Sequence, residues 1–161
     1  MTIFENMVNQ YFAPLTGHYA MEQVSLMRNM CQFESAKVYL RIAYDDLRSY
    51  EINVSIGEIS SSPKQLGMGY SLSTILRLNA APEIGVVLLY AAPNHELNES
   101  LRRDDSIVLA DAIEELSVLT KKYAAKLLSG SEADFIELRE FHGKECVEYV
   151  NQRGQTPLIT T

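Results

Sequence analysis

The chain is poor in the residues from which local catalytic and metal sites are built. Its 161 residues include only two cysteines and three histidines. Cys31 and Cys146 stand far apart, which supports neither a disulfide framework nor a zinc site, and both are expected to be inert, part-buried thiols. His18, His95 and His142 form no pair three to five residues apart, so they offer no local metal site. No run approaches the roughly 18 to 20 apolar residues that span a bilayer. The longest, Ile84–Ala92, is expected in the core. Met1–Phe12 lacks a basic segment followed by an apolar run, so no secretory leader is expected and a cytoplasmic location is. Basic charge is scarce as well: 14 Lys and Arg face 21 Asp and Glu, a net charge of −7. Residues 1–80 hold 6 basic and 7 acidic side chains, and residues 81–161 hold 8 and 14, so the excess lies in the second half. Nucleic-acid binding needs clustered cations to displace condensed counterions, and that class is excluded.

What is present is an ordinary globular composition, 47% apolar and 22% charged, expected as one domain over residues 1–155 with a flexible tail at 156–161. The most informative stretch is a hairpin. Val38, Leu40, Ile42 and Tyr44 alternate with Lys37, Tyr39, Arg41 and Ala43; after Asp45–Ser49, Tyr50, Ile52, Val54 and Ile56 alternate with Glu51, Asn53 and Ser55. Period two means one buried face and one wet face, with Tyr39, Arg41, Glu51 and Asn53 on the open side.

Around the hairpin the expected order is a helix over Ile3–Leu15, capped by Thr2 and ended by Pro14 and Gly17, then a strand or two between Tyr19 and Phe33 turning near Arg28–Asn29. Gly57–Gly69 reads as a surface connection. Ser71 opens a helix with Leu72, Ile75, Leu76 and Leu78 inside, Ala80–Ala81–Pro82 breaks it, and another helix runs from Pro82 to about Tyr90 before a break at Pro93–Asn94. A long amphipathic helix follows from about Asp104 to Leu128, with Gly130 as its terminal glycine. Ser131–Asp134 resembles a capping box for a last helix whose inner face uses Phe135, Leu138, Phe141 or His142, and Val147 or Tyr149. The fold class is therefore α+β: an N-terminal helix, an antiparallel meander of three to four strands, and a helical C-terminal half packed on one sheet face.

The spacing nominates no catalytic base for either thiol, and His142 is expected to be a hydrogen-bonded structural histidine. Gly67–Met68–Gly69 lacks the lysine and the βαβ frame of a phosphate loop. Asp45–Asp46 and Asp104–Asp105 sit at a turn and a helix start, where acids serve structure. No catalytic, cofactor or metal residue is assigned, and no cofactor is expected.

One text is familiar. Arg41–Ile42–Ala43–Tyr44–Asp45–Asp46–Leu47–Arg48–Ser49–Tyr50–Glu51–Ile52–Asn53–Val54–Ser55–Ile56–Gly57, the Tyr70–Ser71–Leu72 helix start, and Leu119–Gly130 followed by Phe135 and Leu138 together resemble small acidic bacterial α+β proteins of the toxin-associated immunity type. The resemblance implies a protein that binds a cognate toxin and blocks it, with no membrane and no nucleic acid involved. An acidic surface would complement a basic toxin, and the expected contacts are Asp104, Asp105, Glu114, Glu115, Glu132, Asp134, Glu137 and Glu140. Two other readings stand beside it. One is a small enzyme or ligand-binding domain whose pocket gathers His142, Cys31 or Glu51. The other is a homodimer formed through the sheet face or the Ile84 run.

Overall fold

The computed structural model describes residues 2–24, 27–47, 49–91 and 106–154. Arg48, His95, Pro93–Asn94, Asp104, Asp105 and the 156–161 tail lie outside them. In chain order α1 (Ile3–His18) leads to β1 (Glu22–Gln23), β2 (Met30–Glu34), β3 (Val38–Tyr44), β4 (Ile52–Ser61), β5 (Lys64–Leu66) and β6 (Tyr70–Ser71). Then come α2 (Leu72–Leu78), α3 (Ile84–Ala91), α4 (Ser106–Tyr123), α5 (Ala125–Leu128) and α6 (Glu132–Gly154).

The alternating hairpin is the middle of the sheet. Leu40 pairs with Ile56 and Ile42 with Val54. All four are buried in one apolar cluster with Phe4, Val8 and Phe12 of α1, Ile113 and Leu116 of α4, and Phe135 and Leu138 of α6. Every strand pairing is antiparallel, in the order β1-β2-β3-β4-β5, with β6 also on β4. The architecture is mixed α+β, with six strands where three or four were expected. Of the extra strands, β5 comes from Gly57–Gly69, which is not a plain surface connection, and β6 from Tyr70–Ser71 just before α2. β4 runs on through Ile59–Ser61 and turns back at Ser62–Pro63, so that Ser61 pairs with Lys64 and Ile59 with Leu66.

Helix boundaries show where packing overrides local signals. Thr2 and Glu5 form a reciprocal capping box on α1. The helix nevertheless continues through Pro14 to His18, because buried Leu15 and Thr16 hold its last turn against the core. Its inner stripe is Phe4, Val8, Phe12 and Leu15, and Ile3 faces outward. The expected single helix to Leu128 is interrupted at Ala124. There Thr120 Oγ1 donates to the Leu116 carbonyl, a back-bond of the kind that bends helices, and the offset lets Leu127 and Leu128 reach the core. The Ile84–Ala92 run is the clearest correction. Of α3 only Val87 is buried, and Leu88 and Leu89 are about half exposed, because a helix apolar all round can press only one face onto α2 and β4.

Three helices end alike. At Ala20, Ala80 and Gly130 the backbone turns left-handed, and the next residue's N–H bonds a carbonyl five positions back: Met21 to Thr16, Ala81 to Leu76, Ser131 to Lys126. This is the Schellman ending. Glycine fills it at 130, whereas alanine at 20 and 80 carries the Cβ penalty of that conformation, about 1 kcal/mol. Ala80→Gly is expected to stabilise the fold by roughly 0.5–1 kcal/mol, and Ala20→Gly likewise, read as a rise in urea midpoint at unchanged slope.

Candidate functional site

The last helix begins as its sequence suggests. Ser131 Oγ accepts the Asp134 N–H at 3.4 Å and bonds the Asp134 carboxylate, one half of a capping box, while Glu132 and Asp134 complement the positive end of the helix. Phe135 and Leu138 are buried, and Phe141 and His142 half-buried. Further along, a two-pronged ion pair tethers the helix, Arg77 Nε and Nη2 to the Glu145 carboxylate at 2.7 and 3.2 Å. Beyond it every residue from Cys146 to Arg153 is exposed. Two turns of helix therefore stand without a covering element among the described residues. Val147, Tyr149 and Val150 are 60%, 57% and 64% exposed, although Val147 or Tyr149 was expected on the inner face. The sheet and α2 do not extend far enough to cover this stretch.

The two flanks of α6 differ. On one, Arg77, Ala81 and Ile84 face Phe141, Glu145 and Glu148 across an open groove of about 580 Å³. On the other, polar groups line up from the sheet to the helix. Glu58 Oε1 accepts from Arg139 Nη2 at 2.7 Å, and the Tyr70 hydroxyl, with Glu58, holds Arg139 above the usual guanidinium range. The Tyr70 ring meets His142 edge-on at 5.5 Å, and His142 Nε2 lies 3.6 Å from Cys146 Sγ.

That last contact corrects two expectations. Cys146 is exposed, not part-buried, and it does have an imidazole in reach. The signal was legible: residues 142 and 146 are four apart on a helix, hence one turn apart on the same face. Cys31, by contrast, is sealed in β2 under the core, where burial and then the nearby Glu5 charge push its thiol up to about 11. His142, Cys31 and Glu51 are not gathered: the first is on α6, the second inside the core, and Glu51 at the mouth of the β3–β4 hairpin.

The acidic set divides as well. Asp104 and Asp105 lie outside the described residues. Glu114 and Glu115 are on the exposed side of α4, and Glu115 accepts the Tyr90 hydroxyl of α3. Burial first, then that carboxylate, drives the Tyr90 phenol well above its ordinary value. Glu132, Asp134, Glu137 and Glu140 follow α6. Asp134 and Glu137 share a groove of about 330 Å³ with Lys122 and Lys126, so part of their field meets cations of the same chain. Glu140 instead borders an apolar hollow at Gly143 and Val147, next to the exposed stripe.

The face of the sheet turned away from the helices is open only in part: Asn53 is exposed and Arg41 and Glu51 are half-exposed, but Tyr39 is covered. Tyr39 is only 3% exposed although it lies outside the main apolar cluster. Its hydroxyl donates to the Gly67 carbonyl at 2.7 Å, and its ring lies so close over Gly57 that a Cβ there would come within 2.4 Å of it. Beside it Arg41 Nε donates to Gln32, Gln32 to Glu34, and Lys64 Nζ pairs with Glu34 at 2.7 Å. The curled β4–β5 hairpin thus closes over Tyr39 and Gln32 with a polar ladder. Neither alternation nor charge could show this, because it depends on β4 continuing past Gly57.

Among the described residues no group of three His, Cys, Asp or Glu side chains could hold a metal ion, and no helix is long and apolar enough to cross a membrane. The Lys64 hydrogen bond, opposed by desolvation and aided by Gln32, holds the Glu34 carboxyl below its ordinary 4.5. Folding therefore favours ionised Glu34, a contribution present above the ordinary value and lost as pH falls through the depressed one. In urea titrations, the stability gap between wild type and Glu34→Gln should be widest near about pH 6–7 and narrow as the pH falls below about 4.5. No family model matches this chain, no curated protein matches it, and no solved structure matches it.

Proposed function

We propose that this chain is an immunity-type binding protein that neutralises a cognate protein toxin by occupying it, with the free end of α6 as the contact. The observation that carries the reading is the stretch Cys146–Arg153, exposed throughout and bearing Val147, Tyr149 and Val150. Single exposed apolar side chains need no explanation; three within four residues on an uncovered helix end are an anchor in want of a pocket. Val147 and Val150, three apart, can enter a groove together in the manner of helix-in-groove recognition, and Gly143 one turn earlier leaves room for close approach.

Charge selects the partner. Glu140, Glu145 and Glu148 flank the stripe, and residues 81–161 carry the chain's acidic excess. A toxin that acts on nucleic acid presents the complementary basic surface, which would speed encounter and reject acidic competitors. Inhibition of this kind requires no chemistry from the chain, only that the toxin's site be filled. The ligand-pocket alternative has less support, since its three nominated residues do not converge. A homodimer through the same helix end is separated from the toxin reading by sedimentation at low concentration.

The test is co-expression with the product of the reading frame immediately upstream. Val147→Asp with Val150→Asp should leave the chain's own stability within about 0.5 kcal/mol, because both side chains are already in water. It should weaken the complex by roughly a hundredfold or more, the cost of two anchors at about 2 kcal/mol each, partly non-additive. A double variant that co-purifies like wild type would remove α6 from the interface. Charge reversal at Glu114, Glu115, Glu132, Asp134, Glu137 and Glu140 that leaves the salt dependence intact would remove the acidic surface from it.

A further inference from the structure

The chain holds two thiols in opposite conditions, and one of them is equipped to react. Cys146 is exposed, with its sulfur 3.6 Å from Nε2 of an imidazole on the preceding helical turn. A nucleophile needs a base within reach, and the base needs a third group to hold it. His142 has that support. Its ring is half-buried and set edge-on against Tyr70, which is itself only 6% exposed. Tyr70 in turn is steadied by Arg139, and Arg139 by Glu58 at 2.7 Å. Among the described residues the imidazole Nδ1 is buried without a hydrogen-bond partner. Nε2 is the nitrogen that faces the sulfur, so the thiol proton enters there when the neutral ring carries its hydrogen on Nδ1.

We propose that Cys146 is a thiol–disulfide exchange site, with His142 as its base, that takes a low-molecular-weight disulfide and becomes a mixed disulfide. The thiol proton passes to His142 Nε2, and the sulfur attacks one sulfur of the incoming disulfide. The reagent's S–S bond breaks as the new one forms, and its second sulfur leaves as a thiolate that takes up the imidazolium proton. One disulfide and one thiol stand on each side, so no further oxidant is consumed. Cys31, wholly buried and far from any imidazole contact given by the structure, is the silent counterpart in the same chain. A consequence follows that rests on the proposed toxin contact: the adduct projects from the Cys146–Arg153 stretch, beside Val147 and Val150, and obstructs docking there. The exchange itself does not depend on that contact.

The experiment uses the full chain and an aromatic disulfide whose released thiolate is coloured, followed between about pH 6 and 9. One thiol per folded chain should react, none in Cys146→Ser, and Cys31 only after unfolding. His142→Gln should slow the reaction about tenfold near pH 7. It should also change the pH dependence of the rate, because the base that takes the thiol proton is gone. The other titratable groups around the ring, Tyr70, Arg139 and Glu58, are left unchanged, so the altered profile reports the imidazole. A variant with the wild-type rate and profile overturns the proposal, as does a native reaction that survives Cys146→Ser. If His142→Gln does not fold, wild type decides alone: folded Cys146 must exchange faster than a free alkyl thiol at the same pH, and an equal rate overturns it. The purified mixed disulfide is then offered to the toxin. Lost binding supports the regulatory consequence and retained binding refutes it, and neither result alters the exchange rates measured without a partner.

Discussion

Everything in this molecule depends on covering one apolar face of the β3–β4 hairpin. Leu40, Ile42, Val54 and Ile56 cannot remain in water, and burying side chains of this size contributes about 1.5–3 kcal/mol each. α1 and α4 pack on one another and share that cluster, α2 and α3 reach it beside β4, and α5 meets β3. By the time α6 arrives, little apolar surface is left. Only Phe135 and Leu138, in its first two turns, find full cover. A helix of 23 residues is about 34 Å long at 1.5 Å per residue, so its second half runs on beyond its support.

That geometry ties recognition to the fold. At one end of the outer sheet face the curled hairpin covers Tyr39 and Gln32, with a ladder from Lys64 through Glu34 and Gln32 to Arg41, whereas Asn53 at the other end stays exposed. The end of α6 is exposed, rimmed by carboxylates and next to the groove under Ile84 and Phe141. The exposed leucines of α3 add apolar surface elsewhere, but Leu88 and Leu89 belong to a short helix tied to α4 through Tyr90 and Glu115. α6 carries its three apolar groups on the exposed stretch beyond Glu145.

The contrast between the cysteines illustrates the same division. Cys31 points into the cluster that the hairpin demands, and desolvation keeps it a thiol. Cys146 sits on the uncovered half of α6, where the residue one turn back happens to be an imidazole locked by Tyr70. Identical chemistry is silenced by the core and left available by the overhang.

Period two in residues 38–56 marked the hairpin and the side chains from Val38 to Ile42 and Ile52 to Ile56 that face the core, since a slip of one residue would turn them outward, but not the burial of Tyr39 on the other face. Thr2 with Glu5, Ser71, and Gly130 marked helix ends because caps act through neighbours within a turn, and the spacing of His142 and Cys146 was readable for the same reason. Longer-range outcomes were not written locally. Whether β4 continued past Gly57, whether Ile84–Ala91 was buried, and whether Val147 and Tyr149 faced a core all depended on how much surface other elements had already covered. Hydrophobic periodicity states which side chains seek cover; only the assembled sheet and helices decide which of them obtain it, because apolar burial is a competition for a finite area.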